Sequence, residues 1–158
     1  MPTEAWLKKV MIKKLRANVA LAAWAGADTL GDAKIYYDDS NDHAFRGDTE
    51  SSFRYIVFFI EDSSAPMETY DGAFIESWDI GIAIIDKSDG SSDHVDNGYG
   101  LLKAVFESRC AATLDDAAYP EYTTTDIKRM SSLVGPTRDV GTGAWIGTVR
   151  YTINAQKA

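Results

Sequence analysis

One cysteine and two histidines are spread over 158 residues, and each scarcity removes a class of function. A single thiol, Cys110, cannot close an internal disulfide or build a multi-cysteine zinc site. His43 and His94 are the only imidazoles available for metal or acid–base work. No apolar run reaches the ~18–20 residues needed to cross a bilayer. The N-terminal segment carries charges throughout and has no uninterrupted apolar stretch before a small-residue cleavage site, so it does not read as a signal peptide and a cytoplasmic site of synthesis is expected. Bases are outnumbered, 16 against 24 acids, and the net charge of −8 argues against general nucleic-acid binding.

What remains is ordinary for a globular chain: 45% hydrophobic and 25% charged residues, in a length that suits one domain, residues 1–158. The charge is unevenly placed. Residues 1–27 hold five bases (Lys8, Lys9, Lys13, Lys14, Arg16) and one acid (Glu4); taking these from the totals leaves 23 acids and 11 bases, net −12, in the remainder. A basic helix on an acidic body is either a solvated face or a surface for head-to-tail self-association.

Residues 4 to about 25 predict that helix, with Thr3 as N-cap and Gly26 as its stop. Leu7, Met11, Ile12, Leu15, Val19 and Ala22 fall on one stripe, with Lys9, Lys13 and Arg16 opposite. Trp6 and Trp24 lie on a shared flank, placed either for packing within the chain or for covering a neighbouring subunit. Ala33–Tyr37 is a short strand. The loop Asp38–Glu50 is acidic, but counted from Asp38 its sixth residue is His43 and its twelfth Thr49, so it fails the EF-hand pattern of Gly and Glu at those positions. Arg46-Gly47-Asp48 spells an adhesion tripeptide too short to carry weight.

Phe53–Ile60 is an almost continuous apolar strand, as expected where both faces are covered. After the loop Glu61–Ala73, Phe74–Asp86 places Trp78, Ile80, Ile82 and Ile84 on one face. Two consecutive strands without an intervening helix predict an antiparallel pair. Ser92 or Asp93 caps a second helix running to about Ala112, buried through Val95, Leu102, Val105, Phe106 and Cys110; Gly98 and Gly100 predict irregular first turns. Tyr122–Leu133 is a strand, Val134–Ala144 a Gly-rich flexible connection, and Trp145–Asn154 a final strand with Gly147, Val149, Tyr151 and Ile153 on the apolar face. The expected fold is α+β: a mostly antiparallel or mixed sheet of about five strands flanked by two main helices, in the order α-β-β-β-α-β-β.

Chemistry finds little support. His94 with Asp93 and Asp96 is better explained by capping of a helix start than by a metal. Cys110, on an apolar helix face, reads as an inert thiol. Asp38/Asp39, Glu61/Asp62 and Asp115/Asp116 are sequence neighbours, which does not converge two carboxylates on one substrate. Gly141-Thr142-Gly143 precedes a strand, so it is no phosphate loop, and no nucleophile elbow is present. No catalytic, metal or cofactor site is expected.

The order of elements, closed by Gly135-Pro136-Thr137-Arg138-Asp139-Val140-Gly141-Thr142-Gly143-Ala144 and the strand from Trp145 to Ile153, resembles the tail terminator or tail-completion family of long-tailed bacteriophages. The resemblance covers nearly the whole chain as an architecture and departs from the family in the long acidic loop Asp38–Glu50. It implies helices packed on a mostly antiparallel sheet, and a homohexameric ring that caps the tail tube protein and offers a surface to a head-completion or connector protein. DNA passes through such a lumen without specific binding, and the place of action is the head-proximal end of the virion tail after assembly in the host cytoplasm. On that footing Trp6, Lys9, Lys13, Arg16 and Trp24 are candidate subunit-interface residues, and Asp38, Asp39, Asp42, Arg46, Met67 and Tyr70 candidate axial or partner-loop residues. Another head–tail joining or tail-tube component is the alternative, and a small cytosolic enzyme or ligand-binding domain the next.

Overall fold

The computed structural model describes residues 2–28, 30–37, 54–63, 67–68, 72, 74–87, 91–107, 114–139, 141 and 143–157. Two helices, α1 (Pro2–Ala17) and α2 (Val19–Ala25), precede strands β1 (Ile35–Tyr37), β2 (Arg54–Ser63), β3 (Met67–Glu68) and β4 (Phe74–Asp86). Helix α3 (Asp93–Phe106) follows, then β5 (Tyr122–Arg129), β6 (Val134–Arg138) and β7 (Trp145–Lys157). The strands form one seven-stranded mixed sheet in the order β1-β2-β4-β7-β5, with β3 paired to β4 and β6 to β7. The α+β class and the order of the main elements are those expected.

The sheet is built on β4 and β7. Each is 13 residues long, and they pair antiparallel in unbroken register from Phe74↔Lys157 to Asp86↔Trp145. Alternation places Trp78, Ile80, Ile82 and Ile84 of β4 beside Val149, Tyr151, Ile153 and Ala155 of β7, all buried in one core with the helices. β2 pairs antiparallel with β4, as expected for two strands with no helix between them, although the short β3 intervenes. β1 joins β2 in parallel, through Ile35↔Ile56 to Tyr37↔Phe58. Tyr55, Ile56, Val57 and Phe58 are all buried, as a strand covered on both faces requires. Ile56 and Phe58 face the helices, whereas Tyr55 and Val57 form a second, small cluster with Tyr36 and Ile85 on the opposite face.

Several local expectations need correction. The first helix is two helices. Asn18 is extended (φ −75°, ψ 113°) and its side chain accepts the Leu21 N–H at 3.0 Å, so it ends α1 and caps α2. The stripe loses its phase there, and Val19, expected inside, is 84% exposed. Thr3 lies within α1 instead of capping it. The segment after Leu133 is not only a connection: β6 pairs with β7 from Val134↔Thr148 to Arg138↔Trp145. Its register slips between Val134 and Thr137, which lets an edge strand carry Pro136, a residue with no N–H to give. At Gly135 φ is +100°, and a Cβ there would lie 2.9 Å from the Ile146 carbonyl oxygen, so glycine is required.

Helix α3 is regular through Gly98 and Gly100, where irregular turns were expected. The reason is proximity: a Cβ on Gly98 would sit 2.8 Å from the Trp24 ring and 3.0 Å from Ile84. The glycine lets α3 lie close on α2 and the sheet. The helix ends at Phe106, before the expected Ala112, and Glu107 follows as its C-cap with its N–H on the Lys103 carbonyl. Cys110 lies outside the described residues.

Candidate assembly surfaces

The aromatic residues on the flank of the first helices point inward. Trp6 is 1% exposed; its ring stacks on Tyr122 (centroids 4.3 Å apart, 12° between planes) and meets Trp78 at 5.7 Å. Trp24 donates its Nε1–H to the His94 carbonyl at 2.9 Å, tying α2 to the start of α3. Both tryptophans therefore pack within their own chain.

Those bases differ. Lys9 is exposed. Lys13 donates to Asp116 Oδ2 at 2.7 Å. That bond, with the Ala118 N–H also donating to it, holds the Asp116 carboxyl below the usual carboxylate range. Arg16 donates to the Ile35 carbonyl at 2.9 Å, lies 3.8 Å from Asp32 and sits over the Tyr36 ring. It thereby fastens α1 to β1. Lys13 and Arg16 thus have partners within the chain, although the Lys13 side chain is still 71% exposed, and Lys9 is exposed as well. Lys13 and Lys14 also line an open groove of about 350 Å³ between α1 and residues 114–117.

The second surface is the face of the sheet away from the helices. A small cluster of Tyr36, Tyr55 and Val57 with Ile85 lies on it, together with Phe59, Ile75 and Ile146 and a belt of polar groups. Arg150 Nε donates to both Glu61 oxygens, at 3.0 and 2.8 Å. Thr152 donates to Asp79 at 2.9 Å. Thr148 and Asn154 extend this belt along β7. The alternation of β7 forces such a face: every second residue must leave the core.

At the other end of β4, His94 Nδ1 lies 2.7 Å from Asp86 Oδ2, and Asp86 is fully buried. Proximity in sequence suggests Asp93 and Asp96 as the partners of His94, whereas the strand supplies Asp86. The signal for it was an acid closing the run Ile80–Ile85, which holds no other polar side chain. Asp93 and Asp96 occupy the first turn of α3 as expected. Ser92 stands at the cap without a side-chain cap bond, and Ser91 Oγ instead accepts the Asp93 N–H at 3.2 Å. Among the described residues no group of three or more His, Cys, Asp or Glu side chains is arranged to hold a metal. No described helix is long and apolar enough to cross a membrane.

No protein-family model matches the chain, and no curated protein sequence does. A solved structure does. A chain from the "Virion of native gene transfer agent (GTA) particle" is similar in fold, with a TM-score of 0.59 over 95% of this chain and 94% of that one, at 14% sequence identity. At that identity the likeness is one of fold. It extends over nearly all of both chains.

Of the expected axial residues, Met67 belongs to β3 and pairs with Ile75 of β4. Asp38, Asp39, Asp42, Arg46 and Tyr70 lie outside the described residues, as do His43 and the Arg46-Gly47-Asp48 tripeptide.

Proposed function

We propose that this chain is a structural protein of a phage-like virion, and that it acts as a tail terminator: a closed, homohexameric ring at the head-proximal end of the tail tube. The observation that carries this is the mutual coverage of the fold likeness, 95% of this chain and 94% of a gene transfer agent virion chain. Likeness over nearly the whole of both chains leaves little room for an added catalytic module. The resemblance of the element order and of the closing segment Gly135–Ile153 to tail terminators points the same way. So does the belt of polar groups on the sheet face free of described helices, which suits a surface in contact with water.

The ring's partners are the tail tube protein on one side and a head-completion or connector protein on the other. DNA passes through without specific binding, since a net charge of −8 disfavours phosphate contacts. The second function in line is another head–tail joining or tail-tube component, favoured by the same fold likeness. Electron microscopy of the purified protein mixed with tail tubes separates the two. A terminator forms six-membered rings that sit on tube ends. Polymerisation into tubes supports the tube component, and binding to isolated connectors alone supports the joining protein.

A further inference from the structure

Six large hydrophobic side chains stand exposed among the described residues, and four of them fall into two pairs. Phe74 (43% exposed) and Ile75 (37%) are adjacent at the start of β4, Phe74 on the helix side of the sheet and Ile75 on the other, where β3 folds back on them through Met67↔Ile75 and Glu68↔Phe74. Since β7 occupies the other side of β4 at this point, β3 lies on the β2 flank of the sheet. Met130 (54%) and Val134 (60%) stand where the chain passes from β5 to β6. Both strands pair with β7 on the side away from β4, so this second pair lies on the opposite flank.

The charges around the two pairs are opposite. Residues 61–76 contain Glu61, Asp62, Glu68, Asp71 and Glu76 and no base. Residues 128–138 contain Lys128, Arg129 and Arg138 and no acid. Part of each set is spent inside the chain: Arg150 holds Glu61, and Glu107 holds Arg129 at 3.1 Å. Asp62 and Glu68 remain exposed on one flank, and Lys128 and Arg138 on the other; Lys128 has only a 3.5 Å approach to Asp126. An acidic apolar flank and a basic apolar flank on opposite sides of one chain complement each other between copies. Like flanks meeting would set acid against acid.

We infer that the β3–β4 hairpin of one copy docks, through Ile75, against Met130 and Val134 on the β5–β6 flank of the next copy, with Glu68 and Asp62 facing Lys128 and Arg138. The contact is heterologous, so it propagates from copy to copy and closes where the rotation allows. It rests on the ring proposed above and supplies its subunit boundary. Side chains carry it, because Pro136 and the slipped register of β6 spoil that edge as a template for backbone pairing.

The test uses the full chain with Cys110→Ser, carrying Ile75→Cys, Val134→Cys or both, treated with a short bismaleimide. The double variant gives a ladder of covalent multimers, and a mixture of the two single variants gives dimers. Each single variant alone stays monomeric on a denaturing gel. Self-crosslinking of either single variant overturns the head-to-tail geometry. A ring by native mass that yields no ladder overturns this contact and leaves the ring standing; a monomer by native mass with no ladder overturns both. As a second arm, Lys128→Glu raises the concentration needed for assembly about tenfold, and adding Glu68→Lys restores it. Failure of the restoration, with each variant folded by circular dichroism, counts against the pairing of these flanks.

Discussion

At Gly98 the identity of one residue decides how close a helix lies to its sheet. The added methyl of Gly98→Ala would fall 2.8 Å from the Trp24 ring. Alanine improves helix propensity by up to ~1 kcal/mol, but forcing volume into a packed contact costs about 1–3 kcal/mol, so the substitution should lower the melting temperature. Gly100 has nothing within 4 Å of the same position, and Gly100→Ala should raise stability by about 0.5–1 kcal/mol. Thermal melts of the two variants test the close approach; equal stabilisation by both would remove it. Glycines lower helix propensity wherever they stand, so sequence alone could not distinguish the packed glycine from the free one.

Glu76 offers a test by pH. Burial raises its carboxyl pKa above the usual glutamate range, with the charge of Lys157 offsetting part of the effect. A raised folded-state pKa means that the folded chain keeps its proton where the unfolded chain has released it. This contribution to stability is fully present below the unfolded value of about 4.3, and it is lost as pH rises through the folded one. Glu76→Gln should therefore melt at a higher temperature than the parent at pH 7, with the gap narrowing as pH falls towards about 4. A gap independent of pH would contradict the burial of the charge. Tyr151 behaves in the same sense: burial and the bond from its hydroxyl to Glu107 at 3.0 Å push its pKa up, so it remains a neutral donor at any working pH.

At the scale of elements, periodicity was an adequate guide wherever one face is buried by many residues. The alternation of β4 and β7 set their inward faces correctly, and Leu7, Met11 and Leu15 went inside as their spacing required. Periodicity failed where a single hydrogen bond or a single contact decides. One side-chain oxygen at Asn18 divides α1 from α2, and no count of apolar residues detects it. Asn18→Ala removes the cap at a cost of about 1 kcal/mol, readable as a shift of the denaturant midpoint. An unchanged midpoint would mean that packing of Leu21 and Trp24 alone holds the break. β6 escaped notice because Gly and Pro usually end ladders, yet an edge strand with slipped register tolerates both. The pairing of His94 with Asp86 was hidden for a different reason: the two meet only once β4 and α3 have packed. The parallel placement of β1 beside β2 likewise follows from the path of the chain and not from the composition of either strand.

For the whole molecule, the layout makes self-assembly through opposite flanks physically reasonable. The helices cover one face of the sheet, leaving another on which Glu61 holds Arg150 and Asp79 accepts from Thr152. Four of the six exposed large hydrophobic side chains among the described residues lie toward the two flanks, where acidic and basic segments oppose each other. A closed ring buries both flanks of every copy, whereas a dimer made by the same contact leaves one of each exposed. Among the candidate interface residues, Trp6 and Trp24 pack in the chain's own core, and Lys13 and Arg16 have bonds within the chain. Lys9 remains an outward-facing candidate on the helical side.

Closure of six copies into a ring, as proposed, can be measured by native mass spectrometry across a range of protein concentrations and salt. The proposed function predicts a hexamer that becomes dominant as concentration rises and dissociates as salt screens the flank charges. A strictly monomeric species at every concentration, which also leaves tail-tube ends bare, would contradict it.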